Sequence, residues 1–190
     1  MKKNIAIFAS GSGTNAENII RFFQESESVS VALVVSNRSD AKVLERAARA
    51  GVEHRFVPRP LWTEGEAVAQ LMEQFAIDFI VLAGFLARVP DCLLHRYPQR
   101  IVNIHPALLP KFGGKGMYGD HVHRAVVEAG ERETGITIHY INEHYDEGAI
   151  ICQFRCPVEA DDTPEQVAAR VHGLEYAHYP EVIRRLVEAL

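Results

Sequence analysis

The chain has 190 residues, of which 47% are hydrophobic and 24% charged, enough for one domain with a real core and unlike a disordered or fibrous protein. Its net charge of −5 sets the overall field against nucleic acid, so that only a local basic patch would attract such a partner. No apolar run approaches the ~20 residues that cross a bilayer, and Met1-Lys2-Lys3-Asn4 enters a strand-like run with no leader cleavage site.

The first element is the apolar run Ile5-Ala6-Ile7-Phe8-Ala9, followed by a glycine turn and a helical segment from Asn15 to Gln24. A second run, Val31-Ala32-Leu33-Val34-Val35, precedes a helix from Asp40 to Ala50 that closes on Gly51, with Asp40 as its expected N-cap. Val52 to Val57 is a weaker strand candidate. Glu64 to Phe75 carries a helical stripe at Val68, Leu71, Met72 and Phe75. Phe79-Ile80-Val81-Leu82-Ala83 and Ile101-Val102-Asn103-Ile104 complete four runs apolar on both faces, as parallel strands covered by helices are. Strand and helix alternate, which predicts a right-handed, doubly wound, mostly parallel α/β sheet.

After residue 105 the pattern changes. Residues 106 to 120 hold two prolines and four glycines and read as a long loop. A short helix follows from His121 to Ala129. The alternating Ile136-Thr137-Ile138-His139-Tyr140 and the stretch Ala149 to Val158 then predict a partly antiparallel pair. Thr163-Pro164-Glu165-Gln166 has the form of a capping box with proline at the first helical position; Pro180 kinks or restarts the helix it opens. No repeat or linker divides the chain, so one domain over 1–190 is expected, its halves 1–100 and 101–190. The odd cysteine count (Cys92, Cys152, Cys156) gives no disulfide framework, which suits a reduced, cytoplasmic protein. Cys152 and Cys156 lack a second ligand pair and read as buried or edge thiols rather than a metal site.

Gly11-Ser12-Gly13-Thr14-Asn15-Ala16 fits the glycine pattern that brings backbone amides and a helix N-terminus onto a phosphate. A dinucleotide reading also needs an acidic residue after the second strand, and Asn37 stands there. Arg38 keeps a 2′-phosphate, and hence NADP, open as an alternative. A turn holding one phosphate monoester through Gly13, Thr14 and Asn15 is the simpler reading. In Ile101-Val102-Asn103-Ile104-His105-Pro106-Ala107-Leu108-Leu109-Pro110-Lys111, Asn103 and His105 are two apart at a strand's carboxyl end and point the same way. An amide and an imidazole there can stabilise an oxyanion and donate a proton; a buried polar pair finishing the strand is the alternative.

Asn103-x-His105-Pro106-x-Leu108-Leu109-Pro110 resembles the signature of the folate-dependent formyltransferases. Ser10-Gly11-Ser12-Gly13-Thr14-Asn15 resembles the phosphate loop of the branch that acts on phosphoribosylglycinamide. Leu82-Ala83-Gly84-Phe85-Leu86 resembles the family's folate-site strand end, and His139-Tyr140-Ile141-Asn142-Glu143-His144-Tyr145-Asp146-Glu147-Gly148 its aspartate loop. The resemblance covers nearly the whole chain and implies a Rossmann-like formyltransferase fold. It also implies transfer of a formyl group from 10-formyltetrahydrofolate, as co-substrate, to the glycinamide amine of 5′-phosphoribosylglycinamide in purine biosynthesis. Carried over, His105 is the proton donor, Asn103 the oxyanion ligand, and Asp146 the carboxylate that keeps His105 charged nearer neutral pH. Gly13, Thr14, Asn15, His172 and Glu175 take the phosphoribosylglycinamide. Leu86, Ala87, Arg88, Val89, Asn103, Tyr140, Ile141, Asn142, Glu143, His144, Tyr145 and Asp146 line the folate site.

No metal is implied, and His121-x-His123 reads as a helix start near the site rather than a ligand pair. The segment from Lys111 to Asp120 is longer than in relatives; it is either a lid over substrate or a surface loop. Small molecules are the expected partners, with no nucleic acid and no membrane, in a monomer or homodimer. Two rivals within the family fit less well. A tRNA-formylating enzyme would need a further domain and a basic surface, and a formyltetrahydrofolate hydrolase a regulatory domain and a second histidine where Pro106 stands. Outside it, an NADP-dependent oxidoreductase and a catalytically silent phosphate-binding module remain.

Overall fold

The computed structural model describes residues 2–190. In chain order the elements are β1 (Lys3–Phe8), α1 (Thr14–Phe23), β2 (Val29–Ser36), α2 (Lys42–Arg49), β3 (His54–Phe56), α3 (Arg59–Glu64), α4 (Glu66–Gln74), β4 (Phe79–Leu82), α5 (Asp91–Arg96), β5 (Ile101–His105), α6 (Asp120–Glu128), β6 (Glu133–Tyr140), β7 (Ile150–Pro157) and α7 (Pro164–Glu188). The strands form one sheet in the order β3-β2-β1-β4-β5-β6-β7. β1 pairs in parallel with β2 and β4, and β2 with β3, while β7 runs antiparallel to β6. This is the expected mostly parallel α/β sheet with an antiparallel strand toward the C-terminal half. The chain divides into two compact units, residues 1–102 with 180–190, and residues 103–179.

In the first unit, β1 buries Ile5, Ala6, Ile7 and Phe8 completely, because α-helices cover both faces of a parallel sheet. Its register places Ile7 beside Val34 on one side and Val81 on the other, so three apolar runs share one core layer. The helical stripe expected from Glu64 to Phe75 lies on α4, which starts two residues later, at Glu66, because the chain turns at Gly65. That residue has φ 77° and serves at once as C-cap of α3 and N-cap of α4. A Cβ there would fall 2.4 Å from Pro90 Cβ, so only glycine fits. Asp40 does not cap α2: the helix begins at Lys42 with Ala41 as N-cap and no side-chain cap. The Asp40 carboxylate is instead bound by Arg38, through Nε at 3.1 Å and the guanidinium terminus at 2.9 Å. Arg38 holds that carboxyl below its usual range.

In the second unit, β6 starts at Glu133, three residues before the expected alternation, and pairs with β7 from Glu133↔Pro157 to His139↔Ile150. The capping box is complete. Thr163 N–H donates to Gln166 Oε1 at 2.8 Å and Gln166 N–H to Thr163 Oγ1 at 3.3 Å. α7 then continues as one helix through Pro180. Among the described residues, no helix is long and apolar enough to cross a membrane.

Candidate active site

In the first unit, the glycine turn lies between β1 and α1. Its carbonyls are tied to α2: Val43 N–H donates to the Gly11 carbonyl at 3.2 Å, and Arg46 Nε to that of Ser12 at 2.8 Å. Arg46 also pairs with Glu17 of α1. Gly13 is the N-cap of α1 at φ 74°, and a Cβ there would lie 2.5 Å from Val43 Cβ. Thr14 is exposed and Asn15 half-buried in the first helical turn, where amides have no intrahelical acceptor and the helix dipole favours an anion. Arg38, the residue on which an NADP reading depended, is occupied by Asp40. Asn37 accepts a hydrogen bond from the Ser10 hydroxyl at 2.6 Å.

The four expected folate-side residues Leu86 to Val89 follow β4 in the same unit. Leu86 is exposed, Val89 buried, and the Arg88 guanidinium is engaged with Asp91 at 2.6 Å. Leu86 N–H donates to Ser10 Oγ at 2.9 Å.

The second unit gathers a polar cluster at the end of β5. His105 is buried, and its Nδ1 lies 3.6 Å from Asp146 Oδ2. Asp146 Oδ1 lies 3.7 Å from His139 Nε2, and His139 Nε2 lies 3.2 Å from Asn103 Nδ2. The three residues singled out in sequence thus lie close together around a fourth, His139, to which the sequence motif alone assigns no role. Acceptors settle the proton positions. His139 Nδ1 faces the Tyr140 carbonyl at 2.8 Å and therefore donates, so Nε2 accepts from the Asn103 amide. Burial lowers the His139 pKa below its ordinary value, against opposing effects of the Tyr140 carbonyl and Asp146. A neutral His139 therefore orients the Asn103 carboxamide. His105 Nε2 faces the Phe112 carbonyl at 2.7 Å and donates a hydrogen bond to it.

Two supports fix this cluster. Thr137, fully buried on β6, donates to the Ala107 carbonyl at 2.7 Å and accepts from Leu109 N–H at 3.0 Å, pinning the turn after His105. Gln153 on β7 adds donations to the Leu109 carbonyl and to Thr137 Oγ1, both at 2.9 Å. The 111–120 segment is more than a surface loop: besides the Phe112 contact, Gly114 N–H donates to Asp146 Oδ2 at 2.9 Å. Asp146 itself sits at φ 58°, a left-handed conformation uncommon outside glycine. Of the aspartate loop, Tyr140 and Ile141 are half-buried while Asn142, Glu143, His144 and Tyr145 are exposed.

On α7, Glu175 is buried and His172 exposed, so the two residues one turn apart differ in environment. Burial raises the Glu175 pKa to about 7. His123, on α6, is buried edge-on to His172 at 6.0 Å, and its Nδ1 has no partner. Burial and the neighbouring His172 lower its pKa to about 4. Among the described residues, no group of three or more His, Cys, Asp or Glu side chains is placed to hold a metal ion.

The profile of the formyl transferase family matches residues 3–183. The chain belongs to the formyl transferase family. The chain is 39% identical to the chloroplastic phosphoribosylglycinamide formyltransferase of Arabidopsis thaliana, over 98% of its own length and 66% of that protein's. It is 38% identical to the chloroplastic enzyme of Vigna unguiculata, of which it spans 62%. It therefore covers less than two thirds of either plant relative. The phosphoribosylglycinamide formyltransferase of Bacillus subtilis is 36% identical over 97% of this chain and 95% of that one. The crystal structure of glycinamide ribonucleotide transformylase 1 from Symbiobacterium toebii matches with a TM-score of 0.90 at 36% identity, over 99% of this chain and 89% of that one.

Proposed function

We propose that this chain transfers the formyl group of 10-formyltetrahydrofolate to the glycinamide amine of 5′-phosphoribosylglycinamide, a step of purine biosynthesis, as a cytoplasmic enzyme of small-molecule substrates that needs neither a metal nor nucleic acid. The observation that carries this reading is the proximity of Asn103, His139, Asp146 and His105, on a chain that belongs to the formyl transferase family.

The neutral amine attacks the formyl carbon, the carbonyl electron pair moves to oxygen, and a tetrahedral oxyanion forms. One Asn103 amide N–H is held by His139, and the second is the donor offered to that oxygen. His105 offers its ring proton, and the Asp146 carboxylate balances the imidazolium charge. Collapse breaks the bond to the folate nitrogen; that nitrogen gains a proton and the acceptor amine loses one. In this structure the Phe112 carbonyl and Gly114 amide occupy His105 and Asp146, so residues 112–114 yield these contacts when substrate is bound. Gly13, Thr14 and Asn15 take the phosphate, Glu175 and His172 the ribose or amine, and residues 86–89 and 140–146 the folate.

The test is purified protein with both substrates, followed by the absorbance change of the folate and by the mass of the acceptor. Acceptor-dependent gain of a formyl group supports the reading. A nicotinamide-dependent signal, or binding without turnover, would refute it.

A further inference from the structure

Ser10 lies between the glycine turn and the folate-side loop, is 2% exposed, and makes three hydrogen bonds of different kinds. Its N–H donates to the Gly84 carbonyl at 3.0 Å. Its hydroxyl oxygen accepts from Leu86 N–H at 2.9 Å, and the hydroxyl proton goes to Asn37 Oδ1 at 2.6 Å. One residue therefore fixes the carbonyl at the start and the amide at the end of the Gly84-Phe85-Leu86 tripeptide. Asn37 can only accept through Oδ1, so it fixes the direction of the hydroxyl proton and leaves the oxygen lone pair for Leu86. The middle residue is held separately. The Phe85 ring packs 4.6 Å from Trp62 and 5.5 Å from Phe8, and Trp62 is anchored by its Nε1–H to the Val57 carbonyl at 2.9 Å. The Leu86 side chain stays 49% exposed, so what orders this residue is its main chain rather than its packing.

We infer that Ser10, oriented by Asn37, is a positioning residue that sets the backbone of the folate-side loop from within the phosphate turn. The inference rests on the proposed folate reading of residues 86–89. Asn37 thereby serves a hydroxyl of the protein rather than a ribose of a ligand.

The variants are Ser10→Ala, Asn37→Ala and Asn37→Asp, the last keeping an acceptor for the hydroxyl. The readouts are hydrogen exchange at the Leu86 amide and calorimetric Kd values for an unreactive folate analogue and, separately, for phosphoribosylglycinamide. Ser10→Ala is expected to speed Leu86 exchange and to weaken the folate analogue about five- to tenfold, the size of one lost hydrogen bond. Phosphoribosylglycinamide should change by less than about twofold, since the turn's own amides are untouched. Asn37→Ala should act in the same direction and Asn37→Asp restore wild-type values. Equal loss of both ligands, or Leu86 exchange unchanged in Ser10→Ala, overturns the inference. If Ser10→Ala fails to fold, the Asn37 pair decides by the same criteria. A wild-type protein that binds no folate analogue refutes the proposed function instead, and Leu86 exchange still decides the role of Ser10.

Discussion

Replacing Glu175 by glutamine tests how the second unit treats a buried carboxyl. Glu175 is 9% exposed, and burial moves its pKa from the ordinary 4.5 to about 7. Below about pH 4.5 the carboxyl is protonated folded and unfolded alike, and it contributes no pH dependence. Between there and about pH 7 the unfolded chain releases the proton while the folded chain keeps it, so stability falls as pH rises. Above about pH 7 both states are ionised and the cost stays constant, at about 3 kcal/mol. The glutamine of the variant has no such proton. The assay is urea unfolding of wild type and Glu175→Gln at about pH 5 and about pH 8, because comparing the variant with wild type at each pH cancels the other titrating groups. The variant should gain about 2–3 kcal/mol on wild type between the two conditions. A difference that does not change with pH would refute the claim that burial raises the Glu175 pKa. Binding of phosphoribosylglycinamide should release a proton near neutral pH in wild type and none in the variant, as a donor placed against the carboxyl favours its charged form.

Three further outcomes follow from the geometry. On the proposed mechanism, Asp146→Asn removes the carboxylate 3.6 Å from His105 Nδ1 and should slow formyl transfer by about 10²-fold with little change in melting temperature, measured by steady-state kinetics and thermal unfolding. Gly13→Ala forces a side chain into φ 74° and against Val43, and should cost about 2 kcal/mol of stability while weakening phosphoribosylglycinamide more than folate, by denaturation and calorimetry. Thr163→Ala removes one side of the α7 capping box and should cost about 1 kcal/mol in urea unfolding with catalysis unchanged.

β1, β2, β4 and β5 were legible because each is apolar on both faces, unlike the short, exposed β3, and the start of α7 because Thr163 and Gln166 satisfy each other locally. What was missed depended on contacts invisible at short range. The stripe at Val68, Leu71 and Met72 marks α4 but carries no sign of α3, a six-residue helix just before it that ends on Gly65, where Pro90 and Cys92 leave no room for a Cβ. α5, six residues long, is too short for a helical period to show. Asp40 has the right residue type and place for an N-cap but is taken by Arg38 two residues away. In the site, Asn103 and His105 could be paired by strand periodicity alone. Asp146, which lies in a loop 41 residues beyond His105, could be joined to them only through the family resemblance. His139 offered one signal: it alternates with Thr137 on β6, which places an imidazole two residues from a buried hydroxyl on one strand face. Asn37 was noticed as a missing acid, but its partner Ser10 is 27 residues away in sequence.

The most direct measurement is the single-turnover rate of formyl transfer in His105→Ala, with both substrates saturating and their affinities determined in parallel. The rate should fall by about 10²–10³ while both affinities stay near wild type, because the lost proton donor acts on the transition state. A variant that transfers the formyl group at the wild-type rate would contradict the account, since the chemistry would then lie outside the cluster formed by Asn103, His139, Asp146 and His105.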